Sequence, residues 1–384
     1  MPGFSSTVRS IKTSTTLKID SLAKAMQKSG EDIVLFTAGE PDFPTPNEIK
    51  EAAKKAIDTG FTKYTNSNGI VELREGISHK LKKDNGLDLS PDQIVVSNGG
   101  KQALFNIFGA ILDPGDEVII IAPAWVTYAP QVEMWKGKPV IVNTSSEEGY
   151  VPKKEKIEKA ISSKTKAILM NSPNNPTGVV YSREILEMIA NIAKTHDLYI
   201  VTDEIYEKLS YDLPHLSIAS FDGMKDRTMI VNGFSKSHAM TGWRVGYSAT
   251  PLEIAKEISK IQSHTTSNIN SIAQMAALKA FEVDTSYMIS EFRSRRDLVV
   301  NLLKKTEFKF FAPQGAFYVM MDVREFLKDK TTEDLCLDMI KNAGVATIPG
   351  DDFYARGFVR ISFATSSDEI KKGIGRMNSY LFGC

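Results

Sequence analysis

The sequence is poor in cysteine and carries no excess of charge of either sign. Cys336 and Cys384 are the two cysteines among 384 residues, and they lie far apart in the chain. So sparse a set predicts no disulfide framework and favours the reducing cytoplasm. Lysine and arginine together number 47, and so do aspartate and glutamate. Proteins that bind nucleic acid or anionic membrane surfaces normally have a basic excess, so neither partner is expected.

Long apolar runs and several familiar ligand motifs are also missing. The uncharged stretch 118–132 is interrupted by Pro123 and Pro130 and is too short to span a bilayer. Residues 1–16 show no apolar core of a secretory signal, which again favours a cytoplasmic protein. There is no GxGxxG fingerprint or P-loop, which argues against a dinucleotide, and the five histidines lack metal-ligand spacing. We therefore expect no metal site.

Short apolar runs alternate with helical patterns through the middle of the chain. These strand-like runs lie at 93–100, 117–123, 166–178, 198–206, 228–235 and 244–250. A helical pattern at 101–112 follows the first of them. Continuous apolar strands separated by helices predict an α/β fold with a mostly parallel sheet covered by helices on both faces.

The pattern changes after about residue 285. A charged amphipathic helix is predicted at 291–306, and strands are predicted at 315–323 and 358–365. This indicates a smaller α+β domain, completed by the N-terminal segment. The expected bounds are 46–284 for the large domain and, for the small domain, 1–45 together with 285–384.

Polar residues cluster where the central strands of the predicted sheet end. The clusters lie at 98–101, 174–176, 203–204 and 233–236. In open parallel sheets the ligand crevice lies beyond the carboxyl ends of the strands. We therefore expect the clusters to converge on one site.

Two glycines at a strand–helix junction, Gly99 and Gly100, indicate either a tight turn or an anion cradle. Glycines free the backbone N–H groups at a helix N-terminus, where anions bind. Lys101 favours the anion, because a cation at the positive end of a helix macrodipole is otherwise unfavourable by up to about 1 kcal/mol. The planar guanidinium of Arg244 could pair with the same anion.

Asp203, Asn175 and Trp125 each have an ordinary interpretation and a functional one. An acid at a strand end is usually solvated, but Asp203 could hold a protonated ring nitrogen by a charge-assisted hydrogen bond. Asn175, which is ordinarily a turn residue beside Pro176, could donate to a ring substituent. Trp125 is either a core residue or a face for stacking on a planar heteroaromatic ring.

Lys236 lies in the largely apolar stretch NGFSKSHAMTGWRVGY, residues 232–247. Most lysines are solvated, but this one has Gly, Phe and Ser as its preceding neighbours, and the site is inferred to hold other cations. Desolvation and nearby positive charge lower the pKa of a lysine and activate it for Schiff-base chemistry. Lys236 is therefore the candidate nucleophile.

Together these motifs resemble the fold-type I, class I aminotransferases that depend on pyridoxal 5′-phosphate (PLP). GFSKSHAMTGWRVG at 233–246 matches the lysine signature of that family. The order of the motifs is also the family's: GGKQAL, NNPTG, DEIY, the lysine motif and FVRISFATS. With FTAGEPDFPTP at 36–46, the resemblance covers essentially the whole chain. The sequence is most similar to the bacterial aspartate aminotransferases of subgroup Ib, whose relatives include prephenate aminotransferases.

The resemblance implies PLP as cofactor and a role for each motif residue. Lys236 would form the Schiff base, and Asp203 would pair with the pyridine nitrogen. Tyr206 and Asn175 would hydrogen-bond the ring hydroxylate, while Trp125 would stack on the ring. The residues implied around the phosphate are Gly99, Gly100, Lys101, Ser235 and Arg244.

The resemblance also implies a homodimer with shared active sites, because Tyr64 is similar to a tyrosine that reaches the phosphate of the neighbouring subunit. Arg360 matches the arginine that binds the substrate α-carboxylate, and Gly39 matches the loop glycine beside it. The other substrate residues implied are Lys101, which would meet a distal carboxylate, and Trp125, Asn175, Lys12 and Thr16. Gly233 stands where many relatives have a phosphate-binding serine, so Ser235, the backbone or another chain must supply that contact.

The implied activity is transfer of an amino group from an amino acid, foremost aspartate or glutamate, to a 2-oxo acid such as 2-oxoglutarate or oxaloacetate. Lys236 would act as general base and acid. A preference for prephenate or an aromatic amino acid is an alternative, and so is a β-eliminating PLP lyase. A non-catalytic PLP-binding regulatory domain would need a fused DNA-binding module, for which the sequence has neither spare length nor a basic segment.

Overall fold

The described part of the chain comprises residues 3–11 and 15–383 of a computed structural model. Its strands are β1 (Val34–Leu35), β2 (Ile94–Asn98), β3 (Glu117–Ala122), β4 (Lys138–Asn143), β5 (Thr165–Asn171), β6 (Tyr199–Asp203), β7 (Thr228–Gly233), β8 (Val245–Ala249), β9 (Lys309–Phe310), β10 (Tyr318–Asp322), β11 (Val345–Ala346), β12 (Ile348–Pro349) and β13 (Phe358–Ser362).

Its α-helices are α1 (Ser6–Ser10), α2 (Thr15–Lys28), α3 (Asn47–Asp58), α4 (Val71–Asn85), α5 (Gly99–Ile111), α6 (Tyr128–Met134), α7 (Lys154–Ala160), α8 (Arg183–Thr195), α9 (Leu252–Thr265), α10 (Ser271–Ala280), α11 (Ser286–Leu303), α12 (Arg324–Leu327), α13 (Thr332–Ala343) and α14 (Ser367–Phe382). Single 3₁₀ turns are formed by Pro91–Gln93, Glu207–Leu209, Ile218–Ser220 and Gly350–Phe353. Within the described residues, no helix is both long and apolar enough to cross a membrane.

The largest sheet has the strand order β2-β8-β7-β6-β5-β3-β4. Neighbours from β7 to β4 pair in parallel, whereas β8 runs antiparallel to both β7 and β2. The predicted α/β fold with a mostly parallel sheet is therefore confirmed. The sequence analysis did not predict β4, because this edge strand begins with Lys138 and Pro139 and is only partly buried. Proline is tolerated there because an edge strand can lack one ladder donor.

Helices cover both faces of this sheet, as the continuous apolar runs predicted. On one face, α5, α6 and α9 pack against a layer that includes Val118 and Ile120 of β3. On the other face, α7 and α8 pack against a layer that includes Ile119 and Ile121 of the same strand. Alternate side chains of a strand point to opposite faces, so a strand covered on both sides is apolar throughout.

The C-terminal part has a four-stranded antiparallel sheet in the order β12-β13-β10-β9. The N-terminal segment packs with it, since β1 pairs with β11 and Ile19 of α2 shares a core with Phe292 of α11 and Met377 of α14. This packing agrees with a small domain that the N-terminal segment completes. The bounds 46–284 for the large domain stay a prediction.

The direction of β8 brings the two ends of the lysine motif to one edge of the sheet. Asn98, at the end of β2, pairs with Val245, and Gly233, at the end of β7, pairs with Gly246. Because β8 runs opposite to its neighbours, its amino end lies beside their carboxyl ends. Arg244 therefore precedes its strand and still lies at the edge where the polar clusters are found.

Candidate active site

A cleft of about 740 Å³ lies at this edge of the sheet, between the large sheet and the C-terminal part. It brings together most of the residues singled out in the sequence. Those that line it are Thr16, Gly39, Gly100, Lys101, Trp125, Asn175, Asp203, Tyr206, Ser235, Lys236, Arg244 and Arg360. The convergence expected of the polar strand ends is therefore observed.

Asp203 is the last residue of β6, and its buried carboxylate is oriented by two donors. The Tyr128 hydroxyl donates to Oδ2 at 2.8 Å, and the backbone N–H of Ile205 donates to Oδ1 at 3.1 Å. Burial raises the pKa of Asp203 to about 6, although the two hydrogen bonds act in the opposite direction. A carboxylate held at this position would bind a cationic partner strongly, because burial leaves its charge poorly solvated.

Asn171 connects Asp203 to the Asn175 loop. The Asn171 amide donates to the carbonyl of Asp203 at 2.7 Å, and its Oδ1 accepts the backbone N–H of Asn175 at 2.7 Å. The side-chain oxygen of Asn175 in turn accepts from Arg360 at 3.1 Å. One chain of hydrogen bonds therefore fixes the ends of β5 and β6 relative to the arginine.

Lys236 follows β7 by three residues, and its amine lies in the cleft. Nζ donates to the carbonyl of Gly39 at 2.5 Å. Burial lowers the pKa of Lys236 to about 8; Glu40 opposes this shift, and Arg244 and Arg360 add to it. About a tenth of the amine is therefore uncharged at pH 7, far more than for an ordinary lysine, and the uncharged form is the one that acts as a nucleophile or base.

Tyr206 is buried beside the lysine. Its ring centre lies 5.9 Å from Lys236 Nζ, and its hydroxyl is 2.9 Å from the hydroxyl of Tyr318 in β10. Burial, together with Tyr318, raises the pKa of Tyr206 well above its usual value. Tyr206 is therefore a neutral hydroxyl that can donate a hydrogen bond into the cleft.

The N-terminus of α5 is open to an anion. Its N-cap residue, Asn98, makes no side-chain capping hydrogen bond among the described residues. Gly99 has φ +76°, and a Cβ there would lie 2.5 Å from Nη2 of Arg244. Nη2 also donates to the carbonyl of Asn98 at 3.2 Å. A guanidinium and free backbone N–H groups thus meet at the positive end of a helix, a favourable place for a phosphate.

Glycine is required in the lysine motif for the same close approach. A Cβ on Gly246 would lie 2.3 Å from the backbone nitrogen of Gly100, and one on Gly233 would lie 2.8 Å from Cα of Gly246. The backbones of β7, β8 and the start of α5 are therefore in direct contact. Ser235, which is buried, completes this corner of the cleft.

Lys101, in the first turn of α5, and Trp125 also line the cleft. Lys101 Nζ lies 4.9 Å from the centre of the Trp125 ring, and burial lowers the pKa of Lys101, with Arg244 adding to the effect. Trp125 is half-buried and meets Tyr128 edge to face at 5.5 Å. This part of the cleft thus presents a flat indole and a cation.

Arg360, in β13, is a buried cation with a free donor. Nη1 donates to Asn175 and Nη2 to the carbonyl of Thr37, each at 3.1 Å, whereas Nε has no hydrogen-bond partner within the described chain. The guanidinium lies 4.4 Å from the ring centre of Tyr318. Burial lowers the pKa of Arg360. A buried, incompletely paired guanidinium facing a cleft is well suited to a carboxylate.

The remaining predicted residues have different outcomes. Thr16 Oγ1 is buried and lacks a hydrogen-bond partner among residues 3–11 and 15–383. Gly99 lies behind Gly100 at the start of α5. Tyr64 is 92% exposed and stands apart from the cleft lining. Lys12 falls outside the described residues.

Tyr128, Asn171, Tyr318 and Thr37 were not singled out in the sequence, although each contacts a predicted residue. Asn171 carries the signal used for the others, since it is the polar residue that ends β5. The two tyrosines carry no such signal. Tyr128 lies within an apolar run and Tyr318 within an apolar strand, so only the tertiary contact reveals their partners.

Known proteins resemble this chain over its whole length. Residues 31–377 match the family model described as aminotransferase class I and II. An aspartate aminotransferase of Thermotoga maritima is 48% identical over 97% of this chain and 98% of its own length. An aspartate/prephenate aminotransferase of Thermus thermophilus is 44% identical over 98% of each.

Solved structures agree with these sequence relatives. The crystal structure of the Thermotoga maritima aspartate aminotransferase has a TM-score of 0.95 at 47% identity, covering 99% of this chain and 100% of that one. The Thermus thermophilus aspartate aminotransferase with maleate has a TM-score of 0.93 at 43% identity, with the same coverage. Matches of this extent and identity show that the chain belongs to the aminotransferase class I and II family.

Proposed function

We propose that this protein is a PLP-dependent aminotransferase that moves an amino group between aspartate or glutamate and a 2-oxo acid such as 2-oxoglutarate or oxaloacetate. The observation that carries the proposal is the meeting of Lys236, Asp203 and Arg360 in one cleft. The lysine has a pKa of about 8, the carboxylate is buried, and the guanidinium has a free donor. These are the groups that imine chemistry on an amino acid requires.

The residues present fit PLP. The uncapped start of α5, with Arg244 beside it, suits the phosphate, and buried Asp203 suits a protonated ring nitrogen. Trp125 offers a flat face, while Tyr206 and Asn175 offer donors to a ring hydroxylate. When bound there, PLP supplies an aldehyde that captures the amino group and a protonated ring that withdraws electrons.

Lys236 holds the proton that transamination moves. Its pKa of about 8 lets the amine accept a proton from the substrate Cα and return it to the cofactor carbon that lies two bonds away across the nitrogen, as general base and then general acid. Asp203 stabilises positive charge on the ring nitrogen, and Tyr128 keeps its carboxylate oriented. Asn175 is fixed by Asn171 and by Arg360, so the ring and the substrate are positioned by one connected network.

Arg360 and Lys101 are proposed to hold the two carboxylates of a dicarboxylic substrate. Arg360 would bind the α-carboxylate through its free Nε and neighbouring nitrogens, beside the Gly39 loop. Lys101, whose amine lies over the Trp125 ring, would bind the distal carboxylate together with Thr16 and with Lys12. Relatives named for prephenate make prephenate the second candidate, since it is also a dicarboxylate.

We also propose a homodimer of the cytoplasm whose sites are shared between subunits. Tyr64, in the loop before α4, is 92% exposed. Arg244 is likewise exposed at the phosphate corner of the cleft. A second copy that placed its own Tyr64 against this corner would cover both.

A panel of half-reactions tests the proposal. Purified enzyme loaded with PLP is mixed with aspartate, glutamate, phenylalanine or arogenate, and conversion of the cofactor to its amine form is followed by absorbance. We expect aspartate and glutamate to react fastest, and Lys236→Ala to abolish turnover. Arogenate reacting faster than aspartate would favour prephenate, and pyruvate released from cysteine conjugates without an oxo acid would indicate a lyase. A loaded enzyme that converts none of these amines would refute the proposal.

A further inference from the structure

A second cluster of charged side chains lies behind Asp203, away from the cleft. It is formed by Glu204, next to Asp203 in the chain, by Glu207, by His215 and by Lys80 of α4. Their side chains are 1%, 8%, 7% and 13% exposed, respectively. The carboxylate and imidazole atoms of the first three all lie within 4.8 Å of one another. Four ionisable groups buried together must balance their charges, because unpaired buried charge is costly.

Each carboxylate in the cluster has its own partners. Glu207 forms an ion pair with Lys80 and accepts from the Asn85 amide at 3.2 Å. Oε1 of Glu204 accepts from Ser217 at 2.7 Å and from Thr202 at 3.2 Å. These neutral hydroxyls leave the charge of Glu204 uncompensated.

His215 is the group that can compensate the negative charge of Glu204. Its Nε2 lies 3.2 Å from Oε2 of Glu204, within ion-pair distance although not aligned as a hydrogen bond. Neither atom has a hydrogen-bond partner elsewhere in the described chain. Burial opposes a charged His215, but Glu204 and Glu207 outweigh it and hold the pKa of the ring above its usual value. Two cations, Lys80 and protonated His215, then balance two carboxylates.

The charge of Glu204 matters because of its neighbour. Asp203 and Glu204 are consecutive, and the negative charge of Glu204 is one cause of the raised pKa of Asp203. A protonated His215 offsets that charge from the far side. Without it, Asp203 would bind a proton over a wider range of pH and would lose the charge that a ring cation needs.

We propose, building on the proposed function, that protonated His215 is a positioning residue for Asp203: it balances Glu204 and so keeps Asp203 ionised toward a cofactor ring nitrogen. Among the described residues, the ionisable groups around the cluster include Tyr247, and also Asp84 and Lys208, which pair with each other at 2.7 Å. Tyr247 stays neutral, because burial and the two carboxylates raise its pKa well above the usual value. A proton suits the cluster better than a divalent cation, since Lys80 already supplies one positive charge to Glu207.

The first test measures the proton directly. NMR of PLP-loaded protein with labelled histidine rings, assigned with His215→Gln, follows His215 as pH changes. We expect His215 to titrate above the ordinary histidine value of about 6.5, and to titrate lower in Glu204→Gln. An uncharged His215 throughout the range from about pH 6 upward would overturn the inference.

The second test measures the consequence for cofactor binding. PLP affinity is compared between wild type, His215→Gln, Glu204→Gln and the double variant. If loss of the His215 charge raises the Asp203 pKa of about 6 by about one unit, the ratio of wild type to His215→Gln should be about twofold near pH 7 and approach about tenfold near pH 5. The ratio should shrink as pH rises through the His215 pKa, because the wild type then loses the same charge. The double variant should bind PLP more tightly than His215→Gln alone, because Glu204→Gln removes the negative charge that His215 balances.

Controls separate this inference from a structural role and from the proposed function. His196→Gln, at an exposed position after α8, should bind PLP as wild type does. A loss in His215→Gln that is constant with pH and not restored by Glu204→Gln would mean that the ring only fills space. If Zn²⁺ raised the PLP affinity of metal-stripped wild type, the cluster would be a cation site instead. A wild type that binds no PLP would refute the proposed function as well; binding by all variants alike would refute this inference alone.

Discussion

The pKa of each ionisable side chain at the centre of the cleft is shifted by burial toward the uncharged form. Burial raises the pKa of Asp203 to about 6, lowers that of Lys236 to about 8, and lowers that of Arg360. In each case burial disfavours the charged form. The cleft is therefore costly to the folded protein until ligands of opposite charge bind, a common relation between stability and function.

The loss of folding stability caused by burying the Asp203 carboxylate should be measurable in PLP-free protein with the Asp203→Asn substitution. A carboxyl whose pKa is raised from about 3.9 to about 6 stabilises the fold below pH 4 and loses that stability as pH rises through this window. The amide has no such loss, so we expect the variant to be more stable than wild type at about pH 8, by at most about 3 kcal/mol. Urea unfolding from about pH 4 to 8 measures the difference.

The same substitution should weaken PLP binding and remove activity, because an amide cannot pair with a ring cation. Equal stability of the two proteins across this pH range would show that burial does not raise the pKa of Asp203.

Residues such as Asp203 and Lys236 could be predicted from the sequence because they are polar groups at or just after the ends of apolar strands. Tyr128 and Tyr318 could not, since a hydroxyl inside an apolar run gives no sign of its partner.

At the scale of elements, the apolar runs predicted most of the large sheet but not its details. The predicted runs 93–100, 198–206 and 228–235 became β2, β6 and β7, each of which ends two or three residues earlier than predicted. The antiparallel direction of β8 was not predicted, because a buried strand is apolar throughout whichever way it runs. The sequence therefore indicated that Lys236 and Arg244 share a site. The structure gives the reason: the antiparallel β8 has its amino end, next to Arg244, beside the carboxyl end of β7, which precedes Lys236.

Gly246→Ala should disrupt this junction of elements. The new Cβ would lie 2.3 Å from the nitrogen of Gly100, so the start of α5 must move. We expect a loss of about 1–3 kcal/mol in the free energy of unfolding, as for other overpacked sites, and weaker PLP binding. Thermal melts with and without PLP measure both.

Gly242→Ala is the matched control in the same motif. A Cβ at Gly242 meets no described atom within 4 Å, so the melting temperature should hardly change. If both alanine variants melted alike, close backbone approach would not be the reason for glycine at 246.

At the scale of the whole molecule, the cleft depends on contacts between distant parts of the chain. Arg295 of α11, whose side chain is 8% exposed, donates to Asp42 at 2.7 Å and to Glu291 at 2.9 Å. Asp42 belongs to the loop that carries Gly39, the acceptor of Lys236. The C-terminal part thus holds the N-terminal loop against the cleft.

Asp42→Asn should loosen this loop. Arg295 would lose a charged partner while staying buried, so we expect a loss of about 1–3 kcal/mol in stability and a raised KM for the amino acid. Glu291→Gln is the control, because Glu291 is more exposed and its pairing is worth at most about 1 kcal/mol. Urea unfolding and steady-state kinetics measure the two effects. Equal losses in the two variants would argue against a special role for the loop contact.

The antiparallel β8 also has a consequence for the order in which the site is made. It closes the phosphate corner from residues near 98, 235 and 244, so the cofactor residues proposed within one subunit, from Gly99 to Arg244, all precede the C-terminal part in synthesis. Arg360, the proposed substrate arginine, emerges from the ribosome more than a hundred residues later. The growing chain thus contains the cofactor-binding residues proposed within one subunit well before it contains the arginine proposed to bind the substrate.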